Sequence, residues 1–217
     1  HAFNAWTRRY TRALLPRVVR GADRVIAVSE FTASELGSLL GVPRAKIAVV
    51  PNGVGAPFSP DGDAADGDYV LAVASVEPRK NLERLTQAVN ALGPGGPELR
   101  LVGAQGWGRV RLDEPVARLG VVTDEELARL YRGARCVAYV PLYEGFGLPV
   151  LEAMASGTPV VASDIPVLRE LAGPAAVYVD PLRAEDIARG LREALQRRTE
   201  LVDAGRERAA AFSWRQT

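Results

Sequence analysis

Two carboxylates, Glu144 and Glu152, flank a glycine turn, Gly145–Gly147, in the stretch YEGFGLPVLEAMASGTPVV, residues 143–161. Pro149 suits the first turn of a helix and places the helix start there or one residue earlier. The amides of such a first turn, with the helix dipole, form a site for an anion such as phosphate. Glu144 would repel a phosphate but can accept hydrogen bonds from sugar hydroxyls, and Glu152, one turn inside the helix, can reach a ribose diol. This order of groups predicts a nucleoside diphosphate sugar as the ligand.

The alternative is that both glutamates are helix-capping acids, which stabilise a helix N-terminus. That interpretation is the better one for either glutamate alone. The two acids together, separated by Gly-Phe-Gly-Leu-Pro directly after a buried strand, favour ligand binding.

A second constellation is ASVEPRKNLERLTQAV, residues 74–89. Arg79 and Lys80 stand just before a predicted helix at the carboxyl end of a strand, where two cations can clamp a diphosphate. Fixed cations would stabilise the negative charge that a leaving diphosphate gains during group transfer. A solvated basic turn is the competing interpretation. The Gly-rich loop 103–109 is expected to border the same pocket.

Short runs rich in Val, Ile, Leu and Ala alternate with helical patterns along the chain. The predicted strands are 24–28, 47–50, 69–75, 98–103, 136–140, 159–163 and 176–180, and the predicted helices are 30–40, 81–92, 149–155 and 184–196. Strands that are apolar on both faces are typical of a parallel sheet covered on both sides. The predicted fold is therefore α/β with a doubly wound parallel sheet, whose ligands bind beyond the carboxyl ends of the strands.

The segment GAPFSPDGDAADGD, residues 55–68, interrupts this alternation and lacks periodicity. We interpret it as an interdomain linker between the end of one domain, residues 1–54, and most of a second, residues 69–217. Its Asp-x-Asp pattern can hold a divalent metal elsewhere, but here it follows Pro60 in a connector rather than a buried strand. A flexible, solvated linker without a metal site is predicted.

The bulk composition excludes several classes of function. The 217 residues are 47% hydrophobic and 24% charged, as in an ordinary globular protein. Lys and Arg number 27 against 26 Asp and Glu, so no overall basic field favours a nucleic acid as partner. Cys136 is the single cysteine, which rules out a disulfide framework within this sequence and predicts a reducing, cytoplasmic compartment. No run approaches the ~18 apolar residues of a membrane span.

The first residues combine aromatic and basic side chains. Residues 1–24 carry six arginines against one aspartate, and an apolar stripe recurs at helical spacing at Phe3, Trp6, Tyr10 and Leu14. Such a helix can lie on an anionic inner membrane face, or it can pack on partner residues outside this sequence with its arginines in solvent. Pro16 interrupts the pattern and favours the second interpretation.

Several stretches resemble glycosyltransferase family 4. EGFGLPVLEAMASGTPVV is similar to the paired-glutamate motif of that family, and SVEPRKN is similar to its phosphate-binding loop. ADRVIAVSEFTASEL and VPNGV resemble the end of the family's N-terminal domain and the domain connection, so the resemblance spans nearly the whole chain. It implies the glycosyltransferase B fold, in which one Rossmann-like domain mainly holds the acceptor and the second holds the nucleotide sugar.

Carried onto matching positions, the resemblance implies that Glu144 contacts the donor sugar and Glu152 the ribose, while Arg79 and Lys80 hold the diphosphate. The other donor-binding positions that it implies are Gly145, Phe146, Gly147, Leu148 and Val150 near the phosphates and Val121 and Val122 near the base. The sequence departs from many members at Ser75, where they carry an arginine. Either one phosphate contact is missing or Arg79 supplies it.

The resemblance also implies a retaining hexosyltransferase that needs no metal, no cofactor and no protein nucleophile, because the leaving phosphate helps to deprotonate the acceptor. The chain looks closer to the SLEPRKN branch, which often uses GDP-mannose, so a mannosyltransferase-like activity is expected. The acceptor is an unassigned glycan, lipid or small molecule.

The alternative is a nucleotide-sugar-binding module without turnover, since most of the acceptor domain and a last helix are expected to lie outside this sequence. His1 receives no role.

Overall fold

The computed structural model describes residues 5–215 and 217, with side chains for residues 9, 10, 12–215 and 217. The helices are α1 Ala5–Gly21, α2 Glu30–Leu40, α3 Leu82–Asn90, α4 Asp124–Gly133, α5 Leu148–Ala155, α6 Pro166–Ala172, α7 Ala184–Gln196 and α8 Arg198–Ala209. The strands are β1 Val25–Ala27, β2 Ile47–Val49, β3 Tyr69–Val73, β4 Glu98–Val102, β5 Ala117–Gly120, β6 Cys136–Tyr139, β7 Val160–Ser163 and β8 Val177–Val179. A 3-10 turn, Pro78–Lys80, precedes α3.

These strands form two parallel sheets. β1 and β2 pair with each other, and the six-stranded sheet has the order β5-β4-β3-β6-β7-β8. The chain builds outward from β3 to β5 and then crosses to β6 and continues in the opposite direction. This arrangement confirms the predicted doubly wound α/β fold. Its switch point lies between β3 and β6, where ligands of such sheets bind.

The central strands β3, β6 and β7 are buried on both faces, as their nearly continuous apolar sequences predict, whereas the edge strand β5 is mostly exposed. Successive residues of β3 point to opposite faces. Tyr69 and Leu71 pack with side chains of α4, α5 and α6, whereas Val70 and Ala72 pack with those of α3 and α7. The sheet therefore fixes the strand ends that carry the two sequence motifs.

The prediction that Pro16 interrupts the N-terminal helical pattern is wrong, because helix α1 continues through Pro16 to Gly21. Tyr10 and Leu14 are 54% and 37% exposed. The other two members of the predicted apolar stripe, Phe3 and the side chain of Trp6, lie outside the described residues, as does His1. Within the described part of the chain, no helix combines the length and apolar character of a membrane span. The membrane-surface interpretation of α1 stays a prediction.

The segment 55–68 contacts α4, although most of its residues are exposed and none is buried. Its assignment as a flexible, solvated interdomain linker stays a prediction. The amide of Ala65 donates to the Arg129 carbonyl at 3.0 Å. The ring of Phe58 meets the ring of Tyr131 edge to face, with centroids 5.9 Å apart. These contacts fasten the segment to α4. We call residues 5–54 the first lobe and residues 69–215 the second lobe; their status as separate domains stays a prediction.

Candidate functional site

A cavity of about 550 Å³ lies at the carboxyl ends of β3, β4 and β6, beside the switch point of the large sheet. The predicted site residues that line it are Ser75, Arg79, Lys80, Glu144, Gly145, Phe146, Gly147 and Leu148. Gly103 of the Gly-rich loop also lines the cavity, as expected, and the first lobe contributes Val28 and Asn52. The two sequence motifs thus meet in one place.

One carboxylate oxygen organises the charged part of this cavity. Oε2 of Glu144 lies 2.6 Å from Nζ of Lys80 and 2.9 Å from Nη1 of Arg79. The hydroxyl of Tyr139 donates to the same oxygen at 2.5 Å, and Lys80 donates to that hydroxyl at 2.8 Å. The second oxygen, Oε1, accepts a hydrogen bond from the Gly145 amide at 3.2 Å. Oε1 therefore keeps most of its capacity to accept hydrogen bonds from a ligand hydroxyl.

The network keeps Glu144 ionised. Burial alone would raise the pKa of Glu144, but the hydrogen bonds from Lys80 and Tyr139 and the charges of Lys80 and Arg79 lower it to about 2. The pKa of Tyr139 is raised by burial and by the neighbouring Glu144 carboxylate, so its hydroxyl keeps its proton. Glu144 is consequently an acceptor of hydrogen bonds, and not a proton donor, throughout the neutral range.

The cations are already balanced by acids. Arg79 also pairs with Glu77, whose Oε1 lies 2.7 Å from Nη2, and it donates to the Tyr143 carbonyl at 2.9 Å. Two cations and two carboxylates make a cluster without net charge. Lys80 and Arg79 nevertheless retain N–H groups beyond those used in these contacts, because an ammonium has three donors and a guanidinium has five. Both residues line the cavity, so these donors are candidates for contacts to an anion there.

A turn of free amides adjoins the charged cluster. Gly147 has φ 109°, a conformation that favours glycine, and it leads directly into α5 at Leu148, as predicted. For the amides of Phe146, Gly147 and Leu148 the described residues provide no hydrogen-bond acceptor. Phe146 and Gly147 are buried, and a buried amide without a partner costs free energy. Three successive donors at a helix N-terminus are suited to phosphate oxygens.

Val150 corrects part of the predicted phosphate set. Its amide donates to the Gly147 carbonyl at 2.9 Å and its side chain is fully buried in the core. Val150 is the third residue of α5, and its amide makes a 3-10-type bond to the N-cap residue within the first turn. The amides that remain without a partner for the predicted phosphate contact are those of residues 146–148.

Glu152 is not among the residues that line the cavity, although the resemblance implied that it contacts the ribose of the same ligand as Arg79, Lys80 and Glu144. It sits one turn inside α5, where its carboxylate accepts a hydrogen bond from the Tyr131 hydroxyl of α4 at 2.9 Å. Burial raises the pKa of Glu152 against the effect of that hydrogen bond, and the charge of Asp124 adds to the rise. Its assignment as the ribose ligand stays a prediction.

The predicted base-binding residues also lie outside the cavity. Val121 is 77% exposed, and Val122 packs against the core near α4. Both follow β5, whereas the cavity is lined from β3, β4 and β6. Their role toward a base stays a prediction. Ser75 does line the cavity, so the position where many family-4 members carry an arginine faces the site.

Sequence reasoning missed Tyr139 and Glu77, which complete the charged cluster. Tyr139 is the last residue of β6, and its polar tip at the carboxyl end of an otherwise apolar strand was a usable signal. Glu77 precedes Pro78 in the phosphate-loop motif and offered no comparable signal.

Within the described residues no group of three or more His, Cys, Asp or Glu side chains is arranged to hold a metal ion.

Comparison with protein families gives two adjoining matches. Residues 60–211 match the family described as Glycosyl transferases group 1. Residues 1–56 match the family described as Glycosyltransferase Family 4. The junction between the two matches falls at the start of the segment that joins the two lobes.

Curated relatives include bacterial mannosyltransferases. The chain is 34% identical over 233 residues to the O-antigen chain mannosyltransferase B of Escherichia coli, covering 95% of this chain and 61% of that protein. It is 33% identical to the MMP alpha-(1->4)-mannosyltransferase of Mycolicibacterium hassiacum, covering 91% of this chain and 52% of that protein. The chain thus spans between about half and three fifths of the length of these relatives.

Solved structures share the fold. Sucrose-phosphate synthase from Thermosynechococcus elongatus superposes with a TM-score of 0.82 at 26% identity, covering 99% of this chain and 61% of that one. Anabaena Alr3699/HepE in complex with UDP and glucose superposes with a TM-score of 0.76 at 20% identity, covering 94% and 62%, which shows a common fold alone. Since one family model matches most of the sequence and the second lobe has the expected fold and motif geometry, this chain belongs to the group 1 glycosyl transferases.

Proposed function

We propose that this chain carries the donor site of a retaining glycosyltransferase that transfers a hexose from a nucleoside diphosphate sugar to an acceptor. The observation that carries this proposal is that Arg79, Lys80 and Glu144 line one cavity. They lie beside the three backbone amides of residues 146–148, which lack a hydrogen-bond partner. Donors for phosphate and an ionised acceptor for sugar hydroxyls lie next to each other there. A sugar diphosphate presents both groups in adjacent positions.

The proposed donor is GDP-mannose. Two relatives of the chain are named as mannosyltransferases, which supports mannose as the transferred sugar. A structure with the same fold was solved with UDP-glucose, which supports a nucleotide sugar as the class of donor. The choice of guanine rests on the resemblance to the SLEPRKN branch, since Val121 and Val122 offer no polar side chain that would distinguish guanine from uracil.

The site residues suggest how transfer would be assisted. The diphosphate would lie across the amides of residues 146–148 and the spare donors of Arg79 and Lys80, with the sugar toward Oε1 of Glu144. The bond between the anomeric carbon and the phosphate oxygen would break as the acceptor oxygen bonds to the same face of that carbon, and the acceptor proton would pass to the departing phosphate. Amides and cations fixed at the phosphates stabilise the charge that develops there.

Calorimetric titration of the chain with GDP, UDP and ADP tests this assignment. We expect GDP to bind most tightly and Lys80→Ala to weaken binding by about tenfold or more, because a hydrogen bond to a charged group contributes about 1.5–3 kcal/mol. Arg129→Ala is the matched control, since Arg129 is a cation on α4 that pairs with Glu126 and is not among the residues lining the cavity. Absence of binding by all three nucleotides, or equal binding by the Lys80 and Arg129 variants, would reject the donor site.

A second function, donor binding without turnover, is favoured for the 217-residue chain by the composition of the cavity wall. The first lobe supplies just Val28 and Asn52 to the lining, and the resemblance assigns the acceptor mainly to that side. We expect this chain to bind donor and to transfer little radiolabelled sugar. The comparison is with a protein as long as the curated relatives. If this chain transfers sugar at the same rate as that longer protein, it binds the glycosyl acceptor itself and the second function is rejected.

A further inference from the structure

Helix α2 of the first lobe makes direct contact with the glycine turn of the donor site. The hydroxyls of Ser29 and Thr32 lie 2.8 and 3.1 Å from the carbonyl oxygen of Gly145. Ser29 is also the N-cap of α2, where its Oγ accepts a hydrogen bond from the Thr32 amide at 3.0 Å. Ser29 is 2% exposed, so water does not compete effectively for this contact.

The held carbonyl determines where the next amide points. The Gly145–Phe146 bond is not among the cis peptides of the chain, and in a planar trans peptide the N–H points opposite to the C=O. Since the Gly145 carbonyl is directed at α2, the Phe146 N–H is directed away from α2. This N–H belongs to the cavity-lining turn and has no acceptor among the described residues. Rotation of this one peptide plane would remove the first of the three free amides.

Other contacts between the lobes do not act on that peptide. Glu170 of α6 accepts hydrogen bonds from the amides of Glu30 and Phe31 at 2.7 and 2.9 Å, which caps the N-terminus of α2 from the second lobe. The carboxylate of Glu35 accepts a hydrogen bond from the Tyr143 hydroxyl. These contacts hold the lobes together, and they make it feasible to loosen the interface without releasing the Gly145 carbonyl.

We propose that Ser29 and Thr32 are positioning residues for the donor diphosphate: by holding the Gly145 carbonyl they aim the Phe146 amide at a phosphate oxygen. This inference rests on the proposed donor site, and it adds two residues of the first lobe to the second lobe's phosphate-binding turn. The effect on binding should be confined to ligands with a phosphate. The sugar and base would be held by other groups.

The test uses the double variant Ser29→Gly with Thr32→Val. Glycine is a tolerated N-cap and valine matches threonine in shape, so both hydroxyls are removed at small cost to α2. NMR titration of the isotope-labelled chain measures the Kd of the best-binding nucleoside diphosphate and of its parent nucleoside. We expect the double variant to weaken diphosphate binding about 3- to 10-fold, the scale of one hydrogen bond, and to leave nucleoside binding within about twofold.

Two further variants separate positioning from general loosening. Thr32→Ser keeps a hydroxyl and should bind like the wild type. Glu170→Ala loosens the same interface without touching the Gly145 carbonyl, and it should not weaken the diphosphate selectively. Unchanged diphosphate binding by the double variant, equal loss for diphosphate and nucleoside, or the same selective loss in Glu170→Ala would overturn the inference. If the wild type binds no nucleoside diphosphate, the proposed function itself fails and the inference falls with it.

Discussion

Replacing Glu144 with glutamine removes the carboxylate that Lys80, Arg79 and Tyr139 share. The pKa of Glu144 falls from 4.5 to about 2 in the fold, and each pKa unit corresponds to about 1.4 kcal/mol, so the ionised group stabilises the fold by up to about 3 kcal/mol. The side chains of Glu144 and Lys80 are 18% and 12% exposed, so solvent screens the pair little. We therefore expect Glu144→Gln to lower the free energy of unfolding by about 2–3 kcal/mol at pH 7.

The pH dependence fixes the sign of this effect. A carboxylate whose pKa is lowered in the fold contributes its full stabilisation above the unfolded pKa of about 4.5 and loses it as the pH falls through the folded value of about 2. The difference in unfolding free energy between wild type and Glu144→Gln should shrink steadily from pH 5 toward pH 2. A difference that arose from packing alone would be the same at every pH.

Urea unfolding followed by circular dichroism at several pH values between 2.5 and 7 measures this difference, at about 0.5 kcal/mol precision. Glu98→Gln is the matched control, because Glu98 pairs with Arg100 at 3.0 Å but is 46% exposed. An exposed pair of this kind contributes about 0–1 kcal/mol. A Glu144 variant no less stable than the Glu98 variant at pH 7 would refute the argument that the cluster is a stabilising network.

Two further substitutions separate structure from function. Gly147→Ala should destabilise the fold by about 1–3 kcal/mol, because φ is 109° and an added Cβ would lie 2.7 Å from Leu168 Cδ2. Thermal melts measure this loss. Gly93→Ala is the control, because Gly93 has φ 89° and open space around it. Glu152→Gln should leave the melting temperature equal or higher at pH 7, since burial raises the pKa of Glu152 and its charge is costly above that pKa. The same variant should bind nucleoside diphosphate about tenfold less tightly if Glu152 holds ribose hydroxyls through charge-assisted hydrogen bonds; equal binding in calorimetry would remove Glu152 from the site.

The fold prediction depended on the hydrophobic periodicity of the sequence and on the positions of prolines. Helices 30–40 and 184–196 have their predicted bounds, and α5 begins where Pro149 allows an N-terminus. Pro16 misled the same reasoning, because a helix can continue past a proline at the cost of one backbone hydrogen bond. Local sequence signals thus predicted helix bounds well where tertiary packing favours the same bounds.

The sequence predicted three charged members of the cavity, but it missed Tyr139 and did not predict how these side chains pair. Arg79, Lys80 and Glu144 stand out by residue type at strand ends, and they do share a cavity. Their mutual ion pairs depend on the approach of two loops that are more than sixty positions apart in sequence, which no local pattern encodes. Glu152 illustrates the same limit, because one helical turn carried its carboxylate to Tyr131 instead of the cavity.

The absence of net charge in the cluster of Glu77, Arg79, Lys80 and Glu144 has a consequence for the proposed donor site. Glu77 and Glu144 already occupy much of the hydrogen-bonding capacity of Arg79 and Lys80. A diphosphate in the proposed site would therefore exchange one set of ionic partners for another. Such an exchange gains less free energy than binding to unpaired cations. If the proposed donor site is correct, we therefore expect a nucleoside diphosphate to bind less tightly than it would to the same two cations without acidic partners.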